Sequence, residues 1–257
     1  MPIRNLKYEV IGVFQVINKF GGNFTEADED LLVTIGASAG IALENNRLFE
    51  TQQKMLLEQK RLFNGFIDTL SASIDARDKI TAGHSMRVTQ YSVLLCQKLG
   101  IDKETTETIS QAAMLHDIGK IGIRDSVLQK KGKLTPEEYQ HIQEHVKITH
   151  DILSKIADKS ESFKSVVEIA SSHHEKFNGQ GYFRHKDGSH IPLGGRILAV
   201  ADVFDAITSI RHYRDRMPIE EAIKIIKDGA NTHFDARVTD MFLSLPCDKI
   251  IDVTLSD

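Results

Sequence analysis

Two short stretches, His116-Asp117 and His173-His174-Glu175, set imidazole beside carboxylate at the ends of apolar-periodic segments. Neighbouring helical residues diverge by about 100°, so a His and the Asp after it reach the same ions only if those ions sit against the helix end. A carboxylate placed there can bridge two of them. His84, His145 and Asp202 complete an inventory of nitrogen and oxygen donors without thiolate. Such a set suits iron, manganese or another borderline cation better than a structural zinc site. Eleven histidines are present, several beside Asp or Glu, as a metal site needs. The loop Asn178-Gly179-Gln180-Gly181-Tyr182 is flexible enough to come close to a ligand.

These donors need elements to hold them. Val10 to Asn18 is β-branched and apolar and is stopped by Phe20-Gly21-Gly22-Asn23, which predicts a strand and a turn. Thr25 with Asp28 then caps a helix whose apolar positions are Leu31, Leu32, Ile35, Ala39 and Ile41. From Ala42 to about Ala72, Leu48, Met55 and Leu62 recur every seven residues, flanked by Phe49, Leu56 and Phe63. That seam suits a signalling stalk paired in a dimer; with polar Gln52 and Gln59 on the facing positions, a helix packed on its own domain fits equally well. From Asp75 the pattern is helical almost throughout, with helices near His84–Leu99, Lys103–Ile118, Pro136–Ile156, Phe163–His174, Arg196–Ser209 and Ile219–Asn231. Thr135, Pro136 and Glu138 mark one N-terminus as a capping box with Pro in the first turn.

Composition narrows the function classes. With 41% hydrophobic and 26% charged residues, 257 residues can bury one full core and a small second module. A net charge of −4 gives no basic field for nucleic acid, so an anionic substrate must be held by local cations or metal. Cys96 and Cys247 stand far apart without a partner motif, which suits a reducing cytoplasm. No signal core or apolar run long enough for a membrane span is expected.

The donor-bearing stretches together resemble the HD-GYP family. They are Thr81-Ala82-Gly83-His84-Ser85-Met86-Arg87-Val88, Leu115 to Ile123, Gly132-Lys133-Leu134-Thr135, His145, His173-His174-Glu175 with Asn178 to Tyr182, Ala199 to Asp205, and Arg211 with Tyr213-Arg214. The resemblance covers about residues 70 to 245, in family order. It implies a mainly α fold, with a helical HD-GYP bundle over 73–257, a linker or stalk helix over 45–72, and a short β/α segment over 1–44. That first segment resembles the end of a GAF domain through Ile11 to Lys19 and Phe24 to Asp28.

The same resemblance implies a metal-dependent cyclic di-GMP phosphodiesterase, with a slow HD-GYP module that binds and signals through a protein partner, or an HD phosphohydrolase acting on another nucleotide, as alternatives. A cytoplasmic homodimer through the N-terminal helix is expected. The expected metal ligands are His84, His116, Asp117 as the bridge, His145, His173, His174 and Asp202. Some members hold a third metal with a Glu four residues before the first His. Here Ile80 stands at that position, so two ions, iron or manganese, are expected. Asp117 and Lys120 are the expected catalytic residues, and Lys120, Tyr182, Arg211 and Arg214 the expected substrate contacts. Taken alone, Lys120 and Arg214 read as solvated helix-end cations, Tyr182 as packing and Asp202 as a cap. The product would be the linear dinucleotide pGpG, with further cutting to GMP. The sequence departs from the family at Thr149 for Gly, Asn178 for Asp, Phe183 for the Pro of Gly-Tyr-Pro, and His212 for Pro. The Phe183 ring is expected either to stack on a base or to crowd the cleft mouth, and Phe183→Pro to quicken hydrolysis.

Overall fold

In a computed structural model that describes residues 1–77, 83–209 and 217–254, 69% of the chain is helical and the fold is mainly α. Two units are resolved by their internal packing, Met1–Asn64 and Gly65–Asp257. In the first, β1 (Pro2–Arg4) and β2 (Val10–Val13) pair antiparallel, with an irregularity in register between Ile3 and Arg4. The strand expected over Val10–Asn18 is therefore shorter. Phe14 still donates its N–H to the Met1 carbonyl, but Asn18 adopts φ 60°, which takes the chain out of the extended region. Helix α1 (Glu26–Arg77) follows, its start held by the Thr25 N–H and hydroxyl on Asp28 Oδ2 at 2.7 and 2.6 Å. Leu48, Met55 and Leu62 of the seven-residue seam are exposed.

The second unit is a bundle built on α2 (His84–Leu99), α3 (Lys103–Leu115), α4 (Asp125–Leu128), α5 (Pro136–Ala157), α6 (Glu161–Ala170), α7 (Leu193–Thr208), α8 (Ile219–Asp228), α9 (Ala236–Leu243) and α10 (Cys247–Thr254). Asp102 caps α3 through the Thr105 N–H at 2.9 Å, and the Thr135–Glu138 capping box opens α5 as the sequence predicts. Helix α2 packs against α3 and α7, and α6 joins α3, α5 and α7. Their shared core includes Val88, Tyr91, Leu95, Ile109, Ala113, Val166, Leu198, Val200, Phe204 and Phe242. Each large apolar side chain buried in it contributes about 1.5–3 kcal/mol. That burial lets the same helices carry polar groups inward at their ends.

Three expected helices stop three or more residues early: α8 ends at Asp228 before Gly229, and the other two stops place donors. Helix α3 ends at Leu115, and Ile118–Gly122 form a 3₁₀ turn, because Asp117 leaves the helical region at φ −99°, ψ 6°. Helix α6 ends at Ala170, so His173 and His174 lie in the turn beyond it. The short helices α9 and α10 carry no clear signal in the sequence.

Candidate metal centre

The centre forms where the first residue of α2, the end of α3, the middle of α5, the turn after α6 and the middle of α7 converge. His116 Nδ1 lies 2.6 Å from the Ala113 carbonyl, His145 Nδ1 2.6 Å from Ile142 O, and His173 Nδ1 2.6 Å from Ala170 O. A carbonyl oxygen only accepts, so in each ring the proton sits on Nδ1 and the Nε2 lone pair is left for another partner. The buried Nε2 of His116 has no hydrogen-bond partner, and Nε2 of His145 and of His173 face each other at 3.3 Å. Lone pairs cannot satisfy one another, and burying a lone acceptor costs about 1–3 kcal/mol. A cation among them satisfies all three, so the donor set fits a metal on its own chemistry.

Asp117 connects two groups of donors. Its Oδ1 lies 3.4 Å from His145 Nε2, while Oδ2 lies 3.4 Å from His116 Nε2, 3.7 Å from His84 Nε2 and 2.7 Å from Lys120 Nζ. His84, His116 and Asp117 form one group whose donor atoms lie within 4.8 Å of one another, and His145, His173 and His174 form another. Asp202 Oδ1 stands 3.2 Å from His84 Nε2. Two buried His/Asp clusters of this kind match the demands of a binuclear site.

Charge is set by burial and by these contacts. Burial keeps His145 and His173 below the usual histidine range, and brings His174 down to about 3, so all three rings are neutral donors at pH 7. Burial also opposes protonation of His84, but hydrogen bonds to Asp202 and Asp205 outweigh it and raise that ring to about 10. Asp117 is buried, yet Lys120 and the surrounding imidazoles hold its carboxyl well below the carboxylate range.

Three residues already named take supporting roles that the sequence did not assign them. Asp205, one helical turn after Asp202, receives His84 Nδ1 at 2.8 Å and the Arg87 guanidinium at 2.7 Å, which fixes the ring that α2 presents. The i, i+3 spacing of the two acids on α7 was the available signal. Thr149 Oγ1 accepts the Gly119 N–H and donates to the His116 carbonyl, both at 2.9 Å. The departure from Gly at 149 thus becomes a clamp between α5 and the 3₁₀ turn. Glu175 accepts the N–H groups of Arg184 and Lys186 and ties down the loop that follows.

His84, Asp117, His145, His174 and Asp202 line a cleft of about 380 Å³ with Lys120 and Tyr182, faced by Leu128, Leu134, Tyr139 and Ile142, while the buried His116 and His173 lie behind its wall. Tyr182 stacks on His174 with ring centroids 4.7 Å apart, and burial raises its phenol, which stays protonated. Ile80, Arg211 and Arg214 lie outside the described residues, so the reading of each stands on sequence alone. Expectations for Phe183 need correction. Its ring lies against His150 of α5, 5.4 Å between centroids, and does not line this cleft. Its φ of 92° is closed to proline, whose ring fixes φ near −65°, so Phe183→Pro would strain the loop instead of ordering it.

A family model described as the HD domain matches residues 68–238, a span that contains all the donors named here. The chain is 40% identical over 162 residues to 3′3′-cGAMP-specific phosphodiesterase 3 of Vibrio cholerae, covering 63% of this chain and 34% of that one. It is 36% identical over 217 residues to a cyclic di-GMP phosphodiesterase of the same organism, covering 80% of this chain and 44% of the relative. It therefore spans less than half the length of either relative. The crystal structure of a cyclic GMP-AMP-specific phosphodiesterase of V. cholerae superposes with a TM-score of 0.53 at 18% identity over 74% of this chain and 52% of the other, a likeness of fold. On the matched span and the donors inside it, this chain belongs to the HD domain family and is related to cyclic di-GMP phosphodiesterases at 36% identity.

Proposed function

We propose that this chain is a phosphodiesterase of the HD-GYP type that opens cyclic di-GMP to pGpG, with further cutting to GMP. The observation that carries the reading is the convergence of the His116 and His145 Nε2 lone pairs on the Asp117 carboxylate, with His173 Nε2 3.3 Å from that of His145. His84, His116, Asp117, His145, His173, His174 and Asp202 would hold two transition-metal ions, iron or manganese. When bound, the ions lower the pKa of a coordinated water and neutralise charge developing on the phosphoryl oxygens. Asp205 keeps His84 in one ring orientation, and the depressed imidazoles offer lone pairs without first losing a proton. Lys120, on the cleft wall, brings a positive charge to a phosphoryl oxygen in the transition state. The protonated Tyr182 phenol donates to the substrate, and Arg211 and Arg214 hold the second phosphate by charge-assisted hydrogen bonds. The exposed Leu48, Met55 and Leu62 seam supports a homodimer through α1.

A second substrate is favoured by one observation, the 40% identity to a 3′3′-cGAMP-specific relative. Both substrates contain the same phosphodiester, so the centre serves either and the base contacts decide between them.

The test is hydrolysis by protein reconstituted with ferrous iron or manganese, with cyclic di-GMP and 3′3′-cGAMP as parallel substrates and products resolved by chromatography. Linear pGpG is the expected product. Loaded protein that turns over neither substrate would replace the enzyme reading with a nucleotide-binding signalling module. Lys120→Ala should keep its metal content, because a protonated amine is no ligand, and lose about 100-fold in turnover. Wild-type turnover in that variant would remove Lys120 from the catalytic set.

A further inference from the structure

Lys120 belongs to a five-residue 3₁₀ turn, an element with little stability of its own. The backbone of that turn is gripped from the end of α1. Arg77 Nη1 donates to the carbonyls of Lys120 at 2.9 Å and Ile121 at 2.6 Å, and Nη2 donates to Ile123 O at 2.7 Å. Arg77 Nε reaches Asp125 Oδ1 at 3.0 Å, and Gln129 returns a bond to the Arg77 carbonyl at 3.3 Å. One planar fork thus binds three carbonyls of the turn and its exit, of which that of Lys120 also accepts the Ile123 N–H at 3.0 Å, and a lysine ammonium on a flexible stem cannot reproduce that fork. The ion pair with Asp125 is a lesser part of the grip, since that carboxylate is 65% exposed and screened by solvent.

We propose that Arg77 is a positioning residue for the reaction, fixing the backbone of 120–123 and through it the ammonium of Lys120 at the cleft. The proposal rests on the phosphodiesterase reading of Lys120. It adds a residue that touches neither substrate nor metal and lies 43 positions from the side chain it places.

The test uses the full chain loaded with manganese and compares Arg77→Ala, Arg77→Lys, Asp125→Ala, Lys120→Ala and the double variant Arg77→Ala/Lys120→Ala. Arg77→Ala should lower kcat roughly 10- to 100-fold, the scale of misplacing a reacting group by about 1 Å. KM should stay within about twofold, and metal content should be unchanged. Arg77→Lys should fall between that variant and wild type, and Asp125→Ala should remain within about twofold of wild type. In the Lys120→Ala background the Arg77 substitution should cost nothing further, because the ammonium it places is gone. Amide hydrogen exchange over 118–124 should quicken in Arg77→Ala.

An additive loss in the double variant, a fall in bound metal, or wild-type kcat in Arg77→Ala would each overturn the proposal. Should Arg77→Ala fail to fold, Arg77→Lys decides: lowered kcat at unchanged KM and metal supports positioning, and wild-type kcat overturns it. If the wild-type protein hydrolyses no cyclic dinucleotide, the phosphodiesterase reading falls. Exchange then decides the placement of the turn, with unchanged protection in Arg77→Ala overturning it.

Discussion

Asp117→Ala is expected to lower hydrolysis by about 10³-fold or more and to strip metal from the chain, a double loss that no other single carboxylate here should produce. The reason is its position between the two donor groups, Oδ1 toward His145 and Oδ2 toward His84 and His116. Without it the imidazoles and Asp202 remain, but the proposed centre loses the carboxylate that would set the spacing of two cations and offset part of their charge. Asp117→Asn separates these contributions. It keeps the volume and one acceptor while removing the charge, so it should retain more metal than Asp117→Ala and remain nearly as inactive. Turnover and elemental analysis measured on the same preparations check both. An Asp117→Ala protein with full metal and wild-type turnover would move the centre elsewhere.

Gly119→Ala should be the most damaging substitution that touches no functional group. A Cβ built there would lie 1.9 Å from the His145 carbonyl oxygen and 2.5 Å from the Thr149 nitrogen. Both are backbone atoms of α5, so no side-chain rotation relieves the overlap. The 3₁₀ turn must withdraw from α5, which draws Asp117 away from His145 and breaks the 2.9 Å bond from Gly119 N to Thr149 Oγ1. Overpacking of this kind costs about 3 kcal/mol or more, read as a lowered unfolding midpoint in denaturant. Metal affinity should fall with it. Trimming the partner in Gly119→Ala/Thr149→Gly should restore little, because the 1.9 Å overlap is with a carbonyl that every residue at 145 carries. Wild-type stability in the single variant would show that the turn and α5 are not held this closely.

The sequence showed these features unevenly, for physical reasons. The Thr135–Glu138 capping box and the apolar spacing of α2 and α3 are local, and local patterns can be read without knowing the fold. The donors are spread from His84 to Asp202, so their convergence was legible through the family resemblance and not through spacing. The roles of Asp205 and Arg77 were missed because they depend on contacts 121 and 43 residues away, and only Asp205 had a local mark, its i, i+3 spacing from Asp202. Thr149 looked like a departure from the family until its hydroxyl was seen between Gly119 N and His116 O. Phe183 misled for a different reason. A sequence shows that proline has gone but not that the backbone now sits at φ 92°, where proline cannot go.

On the proposed reading, the converging imidazoles and Asp117 form a site for two transition-metal ions. Elemental analysis of the full chain, reconstituted with ferrous iron or manganese under reducing conditions and then desalted, tests it most directly. The account predicts about two ions per chain, one held by each of the two donor groups that meet at Asp117. A chain that stays near zero metal after reconstitution would contradict it.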